Sequence, residues 1–215
     1  NELEETNESL YTKWENYKKS ISSISEFIRS SGKYPLSGSG ELNTYPIFTE
    51  LAGVDILDPK GRMGLVVKTG VATDKGNANF FSYLIENNRI DSLFDFENTE
   101  GIFDDVEKNE RFCLLTLVGS QISIDKVKFS FFNKNIEMVR DPERRYTLSP
   151  DEIIRINPNT KTCPTFRNTR VKDIAIEMYT GLPVLINESE NVNPWEITYH
   201  RLFDMTLDSD LFEDN

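Results

Sequence analysis

A chain of 215 residues, 38% hydrophobic and 28% charged, has material for one domain with a real core, or for a domain with an appended lobe. Its formal charge of −12 argues against simple electrostatic attraction to DNA or anionic membrane, and no apolar run approaches the roughly 18 residues a membrane span needs. With one histidine and two distant cysteines, Cys113 and Cys163, a metal site is disfavoured; reduced structural thiols in a cytoplasmic protein are expected.

The opening NELEETNESL lacks the basic and apolar regions of a signal peptide and carries no initiator Met, so the chain is expected to be processed or cut from something longer. Leu10, Trp14, Tyr17, Ile21, Ile24 and Ile28 recur at spacings of 4, 3, 4, 3 and 4, one apolar stripe that predicts a packing helix within residues 1–31. GKYPLSGSGE then reads as a loop; Gly38 and Gly40 lack the spacing of a nucleotide-binding turn. Asn43 or Thr44 is expected to cap a helix with Pro46 in its first turn and Ile47, Phe48, Leu51 and Val54 on its buried side.

Residues 63–67 predict a strand. A Gly/Thr/Asp loop follows, in which Thr73 or Asp74 is expected to cap a helix burying Phe80, Phe81, Leu84 and Ile85. Apolar runs at 90–96 and 112–118 flank an acidic loop, and KVKFSFF at 126–132 alternates as a further strand. Strand, helix and strand in that order predict an open α/β sheet, whose ligands bind at the carboxyl ends of strands, here the loops 68–76 and 98–111. Beyond residue 140 the texture turns proline-rich. A helix is expected to start at Ser149-Pro150-Asp151, and another to carry Val171, Ile174, Ala175 and Met178 up to Gly181. Residues 187–194 read as a polar linker, 196–202 as a short strand, and the acidic end as frayed.

Charge is zoned. Residues 126–172 hold eleven Lys/Arg against five Asp/Glu, whereas 89–110 hold two against eight, and 187–215 one against eight. A basic segment between two acidic ones is either a nucleic-acid groove or a solvated surface.

GELNTYPIFTEL, GRMGLVVKTGVATD, SLFDFENTEGIF and FCLLTLVG resemble the later half of adenine-specific DNA methyltransferases, above all those of single-chain type II restriction–modification enzymes. DPERRYTLSPDEI, NPNTKTCPTFR and NPWEITYHRLFDMT resemble the segment that follows the catalytic fold there, so the resemblance covers most of the chain after about Phe27. It implies an α/β fold: the C-terminal portion of a Rossmann-like, S-adenosylmethionine-dependent methyltransferase sheet whose last strand runs antiparallel, with a small mixed α+β appendage. Residues 1–140 would belong to the catalytic domain, and 141–215 would lead toward a DNA-recognition region.

The implied activity is methyl transfer from S-adenosylmethionine to adenine N6 in double-stranded DNA. The family's glycine-rich cofactor turn and its Asn/Asp-Pro-Pro-aromatic loop are not in this sequence. The Asn-Pro pairs, Asn157-Pro158 and Asn193-Pro194, lack the second proline, so both elements are expected upstream of Asn1. Alone, the chain is then expected to be inactive and to self-associate through exposed sheet edge and core.

Phe103 matches the aromatic on which the family's extruded adenine stacks; the plainer reading packs it under its own loop. Thr69, Thr73 and Asp74 are candidates for the adenine pocket. Lys68 and Arg111 are candidates for phosphate contacts or plain surface charge, and Arg144, Arg145, Arg167 and Arg170 for contacts to the DNA backbone. No metal is implied, and the acidic loop reads as solvated. Two alternatives stand beside this reading: a non-catalytic DNA-binding or specificity subunit, and an α/β interaction module.

Overall fold

In the computed structural model, which describes residues 2–188 and 190–211, one mixed five-stranded sheet organises the chain. The strands are β1 (Arg62–Lys68), β2 (Ile90–Glu97), β3 (Arg111–Val118), β4 (Val127–Asn133) and β5 (Tyr146–Leu148). The four strands expected from the sequence agree with β1–β4 to within one residue at each end. Their order in space is β1-β3-β2-β4-β5. β3 runs antiparallel to both neighbours, so β1 and β2 are parallel to each other without touching. β2 and β4 pair in parallel, and β5 adds antiparallel to β4.

Eight α-helices surround the sheet among the described residues: α1 (Glu2–Thr6), α2 (Glu8–Ser30), α3 (Thr44–Glu50), α4 (Gly70–Thr73), α5 (Ala78–Glu86), α6 (Ile136–Arg140), α7 (Pro150–Ile156) and α8 (Thr169–Gly181). On one face of the sheet Leu93, Leu115, Leu117, Phe129, Phe131 and Leu148 pack with Phe80, Phe81, Leu84 and Ile85 of α5 and Ile153 of α7. Tyr146, Cys163 and Phe166, from beyond residue 140, belong to the same cluster. Ser149 opens α7 as expected, in a reciprocal capping box with Glu152.

The opposite face is open. Val66, Leu114 and Phe94 are cross-strand neighbours on it, with Val66 58% and Leu114 40% exposed. Sheets with parallel strands ordinarily carry helices on both faces. The outer edge of β1 has no pairing strand among the described residues.

Several expectations need correction. The stripe on α2 forms, but the helix buries no residue, and Trp14, Tyr17, Ile21 and Ile24 are about half exposed. Periodicity sets which side of a helix is apolar, not what covers it. In α3, Phe48 points outward (65% exposed), while Pro46, Ile47, Thr49 and Glu50 are buried. Asn43 is its N-cap, without a side-chain capping bond. A π-helical turn, Leu51–Ile56, continues α3 and turns Gly53 against Leu117, where a Cβ would lie 2.3 Å from a Leu117 methyl. On α8 it is Ala175, Ile176 and Tyr179 that face the core, leaving Val171, Ile174 and Met178 exposed. Residues 196–202 form no strand; Tyr199 and Leu202 are exposed. The fraying expected at the acidic end lies partly on 212–215, outside the described residues.

Candidate functional site

Because β1 and β2 run in the same direction, the loops leaving them rise from one end of the sheet, and β3 enters the sheet from that end at Arg111. Asn98, fully buried just after β2, folds the acidic loop upon itself. Its Nδ2 donates to the carbonyls of Phe103 (2.9 Å) and Val106 (2.8 Å), and its Oδ1 accepts from the Phe103 amide (2.9 Å). Phe103 thereby meets Phe112 edge-on, with ring centroids 4.9 Å apart, while Phe112 stacks on Phe96 at 5.3 Å. Phe103 still exposes 42% of its surface.

Between this loop and β1 lies a groove of about 540 Å³ lined by Val66, Lys68, Phe103, Val106, Glu110 and Phe112, among others. Lys68 pairs with Glu110 at 2.9 Å across it, and that contact raises the lysine's pKa.

Beside the groove sits a buried polar cluster around Asp95. Its carboxylate has no solvent exposure. It accepts from Thr69 Oγ1 (2.7 Å), Arg111 Nη2 (2.6 Å) and the Phe132 amide (2.8 Å). Asn133 Nδ2 donates to the Asp95 carbonyl at 2.8 Å. Phe132 has φ 59°, a left-handed conformation uncommon for a bulky residue. The Arg111 and Arg167 guanidinium carbons lie 4.9 and 5.3 Å from its ring centroid. Arg144 Nη2 donates to the carbonyls of Phe131 (3.2 Å) and Phe132 (3.0 Å).

The structure thus divides the residues singled out in the sequence. Phe103, Lys68 and Arg111 line the groove together. Thr69 is buried against Asp95 and Thr73 Oγ1 bonds back to the Thr69 carbonyl. Asp74 accepts from Tyr45 Oη (3.3 Å), and neither Thr73 nor Asp74 caps α5, because the 3-10 turn Lys75–Asn77 intervenes. Arg144 is committed to main-chain carbonyls, whereas Arg145, Arg167 and Arg170 are exposed. In the loop holding Gly38 and Gly40, the buried Glu50 carboxylate accepts from the Leu36 and Ser37 amides and the Ser37 hydroxyl.

Sequence reasoning missed Asp95, Asn98 and Phe132. The signal for Asp95 was visible: in β2 it shares a face with the buried Leu93, and a carboxylate at an inward position needs partners.

Both thiols are buried and free, as the sequence predicts. Desolvation, then the charge of Asp95, pushes Cys113 from 9.0 up to about 12, and Cys163 also rises well above its ordinary value. The unfolded thiol ionises near 9 while the folded one keeps its proton, so folding stability is lost as pH rises from about 9 toward 12. The expected slope from one such group is about 1.4 kcal/mol per pH unit. Neither thiol is expected to react with an aromatic disulfide reagent at pH 8 until the chain unfolds; rapid labelling of the native protein would contradict this.

Among the described residues, no helix is long and apolar enough to cross a membrane. No protein-family model matches the chain, and no curated protein matches it.

Proposed function

We propose that the chain forms the later part of the catalytic fold of an adenine-N6 DNA methyltransferase of the single-chain restriction–modification kind, together with the start of its DNA-recognition region. One observation carries the reading. An antiparallel strand, β3, is inserted between two parallel strands, and the loop before it holds a half-exposed aromatic over a groove at the carboxyl ends of β1 and β2, where β3 begins. That end is where ligands sit in open α/β sheets.

Adenine inside a duplex is inaccessible, and the energy of extruding it is partly recovered by stacking on an aromatic face. Phe103, steadied edge-on by Phe112 and by the Asn98 bonds to its main chain, is the surface assigned to that role. With Glu110 paired to Lys68, the rim residues Asp105 and Glu107 repel phosphates, which favours a base over backbone in the groove. The open sheet face and the unpaired edge of β1 accord with further layers supplied from elsewhere, and are the surfaces through which the isolated chain would self-associate.

S-adenosylmethionine supplies the methyl group in this reading, and the residues described do not fit its site. The Gly38/Gly40 loop directs its donors to Glu50, and no strand is followed by a GxGxxG turn. Cofactor binding and the Asn/Asp-Pro-Pro-aromatic loop are therefore assigned to a segment outside this chain. The test joins the chain to its neighbouring coding sequence and supplies duplex DNA with methyl-labelled cofactor. Label in N6-methyladenine is expected; label in cytosine, or none, would overturn the proposal.

A further inference from the structure

Of the exposed arginines Arg145, Arg167 and Arg170, Arg167 has a specific setting. We infer that Arg167, over the Phe132 ring that also holds Arg111, is the seat for a backbone phosphate of nucleic acid; this deepens the DNA reading above and rests on it.

Phe132 occupies a backbone conformation that non-glycine residues adopt only when their surroundings impose it. The surroundings here do so at both ends of the residue. Its amide donates to the Asp95 carboxylate, and its carbonyl accepts from Arg144. Such held conformations concentrate at ligand clamps. The result is a ring carrying two guanidinium groups, those of Arg111 and Arg167.

The charge around that ring is unbalanced. Asp95 neutralises Arg111, whereas Arg144 meets only carbonyl and amide oxygens. Arg167 makes no side-chain hydrogen bond or ion pair among the described residues, and its guanidinium carbon lies over the Phe132 ring. An exposed guanidinium without a hydrogen-bonding partner keeps its N–H donors available, and its planar fork can grip a phosphate with two parallel bonds.

Position agrees with chemistry. β4 ends at the same end of the sheet as β2, since the two are parallel, and it lies two strands from β3. At roughly 4.8 Å per strand, the seat is about 10 Å from the groove side of the sheet. The acidic, aromatic groove and the basic seat thus divide one sheet end, one for an extruded base and the other for a flanking phosphate.

The experiment is fluorescence anisotropy of a labelled 30-base-pair duplex with the whole chain over a salt series, comparing Arg167→Ala, Arg167→Lys and a distant control, Lys33→Ala. Arg167→Ala is expected to weaken binding about tenfold at 0.1 M salt and to lower the salt slope by about one; Arg167→Lys is expected to keep the slope yet bind more weakly. Slopes for Arg167→Ala that match wild type or the Lys33 control would overturn the seat while leaving the methyltransferase reading intact. Failure of the wild-type chain to bind the duplex at low salt would overturn the seat, and a lack of methylation by the joined protein would separately sink the function. Arg167 is exposed, so unchanged thermal unfolding of its variants is the expected check on folding.

Discussion

Asp95→Ala is expected to destabilise the fold by about 3–5 kcal/mol, the range for removing one partner of a buried ion pair. The carboxylate is fully buried and accepts from three groups that approach from separate parts of the chain: the Thr69 hydroxyl, the Arg111 guanidinium and the Phe132 amide. Its loss strands the hydroxyl and the amide without an acceptor and frees the left-handed turn at Phe132 to relax. Because the Arg111 side chain is 34% exposed, water can take over part of its charge, and the lower end of the range is the better expectation. Asp95→Asn keeps an acceptor for the Phe132 amide and is expected to lose less. Urea unfolding monitored by circular dichroism reads both. A loss under about 1 kcal/mol for Asp95→Ala would mean that the cluster is a passenger rather than a strut.

Phe103→Ala is expected to lower turnover about 5- to 150-fold in the methyltransferase formed with the neighbouring segment, with S-adenosylmethionine affinity unchanged. The range is the rate equivalent of the roughly 1–3 kcal/mol that base–aromatic stacking contributes. The ring is half-exposed, and the loop is held by Asn98 through main-chain atoms of Phe103 that alanine retains, so the effect on stability should be small. Phe103→Tyr is expected to restore most of the rate, and Ile102→Ala, at an exposed neighbour, to leave it alone. Steady-state kinetics on duplex DNA decide the matter. Unaltered turnover for Phe103→Ala would leave the ring as no more than a lid on Phe112.

These two residues differ in how far sequence alone reaches them. Phe103 was singled out by the resemblance of its motif order to the methyltransferases, and motif order is local information. Asp95 was visible as a carboxylate in an apolar strand, but its partners lie 16 to 37 residues away in the chain. In the sequence Arg111 reads as a phosphate contact or surface charge and Arg144 as a contact to the DNA backbone; in the fold one neutralises Asp95 and the other bonds to carbonyls.

Local pattern determined the elements: short apolar runs gave β1 to β3, a period of two gave β4, a period near 3.6 gave α2 and α5, and Ser149-Pro150-Asp151 gave the start of α7. It also determined the zoning of charge. Only the tertiary structure decided that β3 lies between β1 and β2, that the stripe of α2 is left uncovered, and that Arg167 lies over the Phe132 ring with Arg111. The physical reason is range. Periodicity records which side of an element avoids water, whereas strand order and the pairing of buried charges are settled by contacts between residues distant in sequence.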